Sequence, residues 1–300
     1  MTKFQKWITG LMAVASGCVA ATAHAQEVDT LKKIKDAGVI VLGVRQSSVP
    51  FSYEDNKQNI IGYSHEIEMK IVDAVKAKLG MPDLKVRLMP MTSQNKIPLI
   101  LNGAADIECN NTTNNEQRGK IVGFSNTFFI IGTRLMTTKN SGIKDFSDLK
   151  GKTVVTEAGA TSEQILGRMN QEKQMGMTIV IQKNVADAFL VLETGRADAY
   201  MLDDALLAGA RANSSNPGKY VIVGTPQSKE AYGCMMRKGD TAFKALVDET
   251  IAKMQTSGEA TALYKKWFQT PIPPNGINMD FPENSDMQAL FKAPNDKPLN

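Results

Sequence analysis

The order of predicted strands and helices occurs twice along this chain, and that repetition strongly limits the folds it can form. Between residues 39 and 108, short apolar runs typical of buried strands alternate with segments whose apolar residues recur at helical spacing. The same strand–helix–strand–helix–strand order returns between residues 152 and 202. Such an order is typical of α/β proteins with a mostly parallel sheet covered by helices. We therefore predict two α/β lobes of similar build.

The individual elements of the two predicted lobes correspond one to one. In the first, strands at residues 39–44, 84–88 and 105–108 alternate with helices at residues 64–79 and 97–101. In the second, strands at residues 152–156, 178–182 and 197–202 alternate with helices at residues 162–174 and 185–194. A Gly-x-Ala-Asp sequence, at residues 103–106 and 195–198, follows a helix and opens a strand in each lobe. This match supports a common build.

The sequence further predicts that the second lobe is inserted into the first. The chain crosses between lobes near residues 128–138, and a strand-like segment at residues 220–223 then leads into a polar stretch that ends at residues 231–237. Two helices, at residues 242–255 and 258–268, follow. Two crossings of this kind make a two-strand hinge with a cleft between the lobes.

The predicted division has three parts. Residues 1–25 form a signal peptide, residues 26–132 plus 226–300 form a discontinuous lobe 1, and residues 133–225 form lobe 2.

The N-terminal segment has the pattern of a secretory signal peptide. Lys3 and Lys6 precede or begin an apolar stretch, and Ala-His-Ala at residues 23–25 matches a cleavage site. The apolar stretch, residues 7–21, is shorter than the roughly 20 residues of a membrane span. Acylation of Cys18, as in a lipoprotein, is the alternative. We therefore expect an exported, periplasmic protein.

Composition then excludes several classes of function. The formal net charge is +4 without a long basic run, so nucleic acid is not an expected partner. Beyond the leader, the histidine and cysteine residues are His65, Cys109 and Cys234. Zinc sites and imidazole-based triads depend on these residue types. Because the chain has so few of them, we predict no metal site, no cofactor and no catalytic residue. The two cysteines either form a disulfide or remain buried thiols.

Polar residues at strand ends are the candidate ligand contacts, because open α/β sheets bind ligands beyond the carboxyl ends of their strands. Arg118 follows a run of small polar residues and suits a carboxylate; the alternative is an exposed arginine on a helix that the polar loop caps. Asp203 suits an ammonium group, or else caps the next helix. Arg45, and the pair Ser93 and Lys96, put a cation after each of two strands; the alternative for both cations is a solvated surface charge.

Several segments together resemble the periplasmic solute-binding proteins of polar amino acid ABC transporters, especially the glutamate/aspartate-binding members. The segments that carry the resemblance are residues 47–53, 112–115, 145–151, 201–209, 228–234, 255–260 and 294–300. The resemblance covers nearly the whole chain after the leader. It implies the type II periplasmic binding protein fold, in a monomer that delivers its amino acid to a permease in the inner membrane.

The resemblance also implies how the α-groups of the amino acid are held. Arg118 would bind the α-carboxylate, helped by Thr113 and by Thr161 of the other lobe. Asp203 would bind the α-ammonium group, and Asn111 would supply a backbone acceptor.

The side chain of the ligand would face Arg45, Ser93 and Lys96. Glutamate/aspartate-binding members commonly have arginine where this chain has Lys96, serine where it has Asn111, and histidine where it has Val185. Lysine keeps the charge but lacks the fork that matches a carboxylate. Because Arg45 is retained, we favour an acidic ligand, with glutamine or another polar amino acid as the alternative.

An enzyme on the same scaffold, such as a periplasmic dehydratase or lyase, is the competing class of function. It would need a general acid or base in the cleft. His65 is expected to be exposed on a polar turn of its helix, which leaves Glu157, at the start of the loop 157–162, as the candidate.

Overall fold

The computed structural model describes residues 28–299. The predicted signal peptide, its cleavage site and Cys18 lie outside these residues. In the described range, no helix combines the length and apolar character needed to cross a membrane.

The described residues alternate between strands and helices as the sequence predicts. The strands are β1 (Val39–Val44), β2 (Ser47–Ser48), β3 (Ser52–Glu54), β4 (Ile60–Ile61), β5 (Lys85–Pro90), β6 (Ile107–Glu108), β7 (Thr113–Asn114), β8 (Val122–Ile131), β9 (Thr133–Thr138), β10 (Thr153–Glu157), β11 (Thr178–Gln182), β12 (Ala199–Asp203), β13 (Tyr220–Val223) and β14 (Glu230–Arg237). The α-helices are α1 (Thr30–Ala37), α2 (Tyr63–Leu79), α3 (Lys96–Leu101), α4 (Glu116–Gly119), α5 (Thr161–Glu172), α6 (Val185–Glu193), α7 (Asp204–Ala212), α8 (Thr241–Thr256), α9 (Glu259–Phe268) and α10 (Ser285–Lys292). Two 3₁₀ helices cover Phe146–Leu149 and Pro217–Lys219.

Two large sheets organise the fold, and each is mixed rather than mostly parallel. The first has the order β5-β1-β6-β14-β7, with β8 also paired to β14, and the second has the order β11-β10-β12-β9-β13. In each, three neighbouring strands are parallel, and the remaining pairs are antiparallel. Most of the antiparallel strands, β8, β9, β13 and β14, carry the chain out of one sheet and back, and outgoing and returning strands run in opposite directions.

The two crossings between the sheets lie side by side. Gly132 alone separates β8 of the first sheet from β9 of the second, and residues 224–229 return the chain from β13 to β14. The backbone N–H of Gln227 donates to the Thr133 carbonyl at 2.9 Å. A Cβ atom on Gly132 would lie 2.9 Å from the Cβ of Pro226, so only glycine fits here without displacing the return crossing. Below, lobe 1 and lobe 2 keep the division predicted from the sequence.

The repeated Gly-x-Ala-Asp sequence has the same structural role in both lobes. The glycine has φ +73° in each, a left-handed conformation that ends the preceding helix. The Asp106 carboxylate accepts the Val41 backbone N–H at 2.9 Å, and the Asp198 carboxylate accepts that of Thr153 at 2.8 Å. In each lobe, the aspartate therefore links the residues just before the third strand to the first strand. These bonds also explain why β6 and β12 begin two residues later than predicted.

Strand β14 differs most from the sequence-based expectation. Residues 231–237 were expected to end a polar stretch, but they belong to a strand that is buried up to its last residue. It lies between β6 and β7 and also pairs with β8. Apolar residues on both faces explain the burial, which Glu230 at its start conceals in the sequence.

A disulfide joins Cys109, which follows β6, to Cys234 of β14. Their Cα atoms lie 4.1 Å apart, and both residues are fully buried. Of the two alternatives left by the sequence, the structure has the bonded pair. The bond lies within lobe 1.

Candidate functional site

The candidate site lies where strand ends of the two lobes face each other. Arg45 directly follows β1, and Lys96 begins α3 after β5. From lobe 2, Glu157 ends β10 and Asp203 ends β12. The rule that ligands bind beyond the carboxyl ends of strands therefore selects residues that the fold does bring together.

Arg45 forms an ion pair across the lobe boundary. It is 1% exposed, and Glu157, its partner, is fully buried. One guanidinium nitrogen donates to Glu157 Oε1, and the other donates to Ser93 Oγ at 3.0 Å. Ser93 Oγ in turn donates to the same Glu157 oxygen at 3.1 Å. The alternative of a solvated surface charge is therefore wrong for Arg45.

Lys96 is also buried, at 2% exposure, so the surface alternative is wrong for it as well. Its Nζ donates to Thr112 Oγ1 at 2.7 Å, and that hydroxyl donates to the Glu108 carboxylate. Burial lowers the pKa of Lys96 to about 7, although the nearby Glu108 carboxylate opposes this shift. Lys96 therefore changes charge close to neutral pH.

Arg118 also reaches across the cleft. Its guanidinium donates to the Thr113 carbonyl at 3.1 Å and to the Gly159 carbonyl of lobe 2 at 3.3 Å. The Asn115 side chain caps α4 by accepting the Arg118 backbone N–H at 2.9 Å. This hydrogen bond holds the backbone from which the Arg118 side chain extends. A Cβ atom on Gly159, which has φ +76°, would lie 2.9 Å from the backbone nitrogen of Gln94, so the lobes touch closely here.

Asp203 directs its side chain into the site and does not cap α7. It is 5% exposed and forms no capping hydrogen bond, so the capping alternative is wrong. Oδ2 accepts the Tyr232 hydroxyl, whereas Oδ1 is buried without a hydrogen-bond partner in the described protein. Burial raises the pKa of Asp203 well above its usual range, and Glu230 adds to the shift. A cationic group beside Oδ1 would favour the ionised carboxylate.

Glu230 is a central polar residue that the sequence analysis did not identify. It is 3% exposed and accepts hydrogen bonds from Thr113 at 2.5 Å, Thr161 at 2.8 Å and Ser228 at 2.7 Å. Thr133 adds a fourth hydroxyl at 3.1 Å. The threonines of the two lobes thus meet on this carboxylate. The only sequence signal was its place in the segment 228–234, which carries the resemblance.

The two remaining departures from the glutamate/aspartate-binding pattern lie at buried positions. Asn111 is 7% exposed, and its side-chain oxygen has no hydrogen-bond partner in the described protein. Val185, the first residue of α6, is 2% exposed and belongs to the main apolar cluster. Val185 therefore contributes packing where a histidine would place a polar ring.

A cavity of about 320 Å³ opens on the cleft beside these groups. Its walls include Thr113 and Glu116 of lobe 1, Thr161 and Arg168 of lobe 2, and Glu230. The cavity thus borders the groups expected to meet the α-carboxylate.

His65 was expected to be exposed, but its side chain is only 12% exposed and its Nδ1 lies 3.3 Å from Glu68 Oε2. Glu68 is fully buried and accepts the Cys109 backbone N–H at 2.8 Å, so this part of α2 turns inward. In the described range, no group of three or more His, Cys, Asp or Glu residues is arranged to hold a metal ion.

Two sheets that exchange the chain twice, with buried cations, carboxylates and hydroxyls between them, define a two-lobed solute-binding protein. The chain belongs to the bacterial extracellular solute-binding proteins, family 3, whose sequence profile matches residues 40–270. The expected fold class and family are therefore confirmed.

Named relatives agree with this assignment. The chain is 56% identical over 289 residues to the glutamate/aspartate import solute-binding protein of Salmonella typhimurium, covering 95% of this chain and 96% of that one. It is 51% identical over 289 residues to the L-glutamate/L-aspartate-binding protein of Pseudomonas aeruginosa, covering 95% of each chain. A mutant of ArgBP from T. maritima has a similar structure, with a TM-score of 0.70 at 30% identity, covering 80% of this chain and 99% of that one. The chain is a solute-binding protein rather than an enzyme.

Proposed function

We propose that this protein is the periplasmic amino acid-binding component of an ABC importer and that it captures glutamate or aspartate by closure of its two lobes. The observation that carries the proposal is the placement of a guanidinium group and a carboxyl group on opposite sides of the cleft. Arg118 of lobe 1 reaches across the cleft to Gly159 of lobe 2, and Asp203 Oδ1 is buried without a hydrogen-bond partner among residues 28–299. An amino acid carries the matching carboxylate and ammonium groups.

The proposed mechanism has two steps. The amino acid first binds lobe 1, where Arg118 holds its α-carboxylate. Lobe 2 then closes and brings Asp203 to the α-ammonium group and Thr161 to the carboxylate. Exclusion of water strengthens each charge pair, because the effective dielectric constant falls. A permease in the inner membrane would recognise the closed monomer.

The threonines have to change partners in this mechanism. In the structure, Thr113 and Thr161 donate their hydroxyl hydrogens to Glu230. A rotation about the C–O bond would redirect either hydrogen to a ligand carboxylate, while Ser228 and Thr133 continue to donate to Glu230.

The acidic ligand is supported by the two relatives, which are named for glutamate and aspartate, and by the cations Arg45 and Lys96. One observation favours glutamine or another polar amino acid as a second candidate. Arg45 already contacts the Glu157 carboxylate, so its charge is partly neutralised before any ligand binds.

Isothermal titration calorimetry with single L-amino acids tests the proposal. We expect glutamate and aspartate to bind, with dissociation constants well below those of apolar amino acids. If no polar amino acid binds the folded protein, the proposal is wrong.

The periplasmic location has a separate test. N-terminal sequencing of the protein recovered from the periplasm should begin at Gln26. A lipid-modified N-terminus at Cys18 would instead show a membrane-anchored lipoprotein.

A further inference from the structure

The contact between Arg45 and Glu157 bears on which side chains the site accepts. Both residues are almost completely removed from solvent, and they belong to different lobes. Glu157 Oε1 accepts hydrogen bonds from Arg45 and from Ser93, two of the groups expected to face the ligand side chain. The chain itself therefore places a carboxylate where an acidic ligand would place its own.

The second cation expected to face the ligand side chain, Lys96, also has a carboxylate near it. Lys96 is linked through the Thr112 hydroxyl to the Glu108 carboxylate, which is fully buried. Two cations and two carboxylates thus occupy the region before any ligand is considered. A carboxylate on the ligand side chain would add a negative charge to a region where Arg45 and Lys96 already face carboxylates, and buried unbalanced charge is costly.

The second oxygen of Glu157 also favours an amide side chain over an acidic one, through hydrogen bonding. Oε2 is buried and has no hydrogen-bond partner in the described protein. An amide side chain can donate an N–H to such an oxygen, whereas an ionised carboxylate has no hydrogen to donate. A buried acceptor that gains a donor contributes favourably, and one that faces another acceptor costs free energy.

We propose that Glu157 is a specificity-determining residue, an inference that rests on the amino acid-binding function proposed above. It acts as the internal counter-ion of Arg45 and weakens the binding of acidic side chains relative to their amides. The proposal concerns the ratio of the two affinities. The preferred ligand of the natural protein can still be acidic, because Lys96 and Arg45 pull the ratio the other way.

Calorimetric titration of L-glutamate and L-glutamine into the wild type and Glu157→Gln is the test. The replacement keeps an oxygen acceptor for Ser93 and Arg45 but removes the charge. We expect the ratio of the glutamine to the glutamate dissociation constant to rise by about tenfold or more. Glu157→Asp keeps the charge and should change the ratio much less.

The matched control is Glu172→Gln, which removes an exposed carboxylate from the other end of α5 in the same lobe. It should leave the ratio unchanged. An unchanged ratio in Glu157→Gln overturns the proposal. If Glu157→Gln and a second variant, Glu157→Thr, are both folded but bind neither amino acid, Glu157 serves closure rather than selection, which also overturns it. If the wild type itself binds no polar amino acid, the proposed function fails instead.

Discussion

A charged residue ends or directly follows the first strand of each repeated unit, and the two charges are opposite. In lobe 1, β1 leads into Arg45, whereas in lobe 2 the corresponding β10 ends at Glu157. The two side chains meet in a buried ion pair. The same backbone plan, marked by Asp106 and Asp198 in equivalent positions, therefore carries complementary chemistry in the two lobes.

The two lobes therefore contribute groups of opposite charge to the candidate site. The cations expected to contact the ligand, Arg45, Lys96 and Arg118, belong to lobe 1, whereas lobe 2 contributes the carboxyl groups of Glu157 and Asp203. Separating the lobes takes from Arg45 the carboxylate that it contacts. A zwitterionic ligand can bridge the lobes in the same sense, with its carboxylate toward lobe 1 and its ammonium group toward lobe 2.

The largest effect should come from removing the lobe 1 cation that is expected to hold the α-carboxylate. We expect Arg118→Met to weaken glutamate binding by about 100-fold or more, because truncation of one partner leaves the other charge buried and unpaired. Calorimetry measures the change, and Arg87→Met, on the exposed side of β5, is the control. Binding within threefold of the wild type would refute the role of Arg118.

Replacement of Asp203, the lobe 2 residue expected to bind the α-ammonium group, should act mainly on the dissociation rate constant. We expect Asp203→Asn to weaken glutamate binding by about 10- to 100-fold, mainly through faster dissociation, because lobe 2 joins after the ligand has bound lobe 1. Stopped-flow measurements separate the association and dissociation rate constants. A loss that lies mainly in the association rate constant would contradict the proposed order of binding and closure.

A third difference between the lobes is covalent. The Cys109–Cys234 disulfide links two elements of lobe 1, across a sequence separation of 125 residues. We expect the Cys109→Ala/Cys234→Ala double variant to lose about 2–4 kcal/mol of unfolding free energy, because the bond restricts the unfolded chain. Urea unfolding measures the loss.

Amide hydrogen exchange then shows where the loss falls. Protection should decrease in β6 and β14 of lobe 1 and remain close to that of the wild type in β10 and β11 of lobe 2. Equal loss of protection in both lobes would show that the two unfold as one cooperative unit.

Local patterns predicted much of this architecture. Strands β1, β11 and β13 have the predicted bounds, and each of the six predicted helices begins and ends within two residues of the observed one. These elements have apolar runs or helical spacing that their own residues encode. Strand β14 and the mixed character of the sheets could not be predicted in this way, because they depend on which distant strands become neighbours.

Sequence patterns also indicated several of the polar residues that the fold brings together between the lobes. Arg45, Lys96, Asp203 and Arg118 could be predicted because each lies close after the end of a strand, where open α/β sheets bind ligands. The sequence did not reveal Glu230 because three of its four hydroxyl partners, Thr113, Thr133 and Thr161, are far from it in sequence. Glu157 was noticed as a candidate acid or base, but only the fold shows that it faces Arg45.

The smallest expected effect concerns pH and again separates the lobes, because it depends on a lobe 1 cation. Burial lowers the pKa of Lys96 to about 7, so the folded protein releases this proton near neutral pH whereas the unfolded chain keeps it up to about pH 10.5. The unfolded state therefore binds more protons between these two values, and the destabilisation from burying charged Lys96 is fully present below pH 7 and is relieved as the pH rises toward 10.5. The affinity for glutamate should change in the opposite direction and fall as the pH rises, because the acidic side chain of the ligand is attracted to the charged form of Lys96.

We accordingly expect glutamate binding to weaken by about three- to tenfold between pH 6 and pH 8, with a much smaller change for glutamine. Lys96→Arg should remove most of this dependence, because arginine stays protonated throughout this range. Calorimetry of both ligands at several pH values, with the wild type and the variant, gives the comparison. If the wild type and Lys96→Arg show the same pH dependence for glutamate, the titrating group is not Lys96, and Asp203 of lobe 2, whose pKa is raised by burial, becomes the residue to replace next.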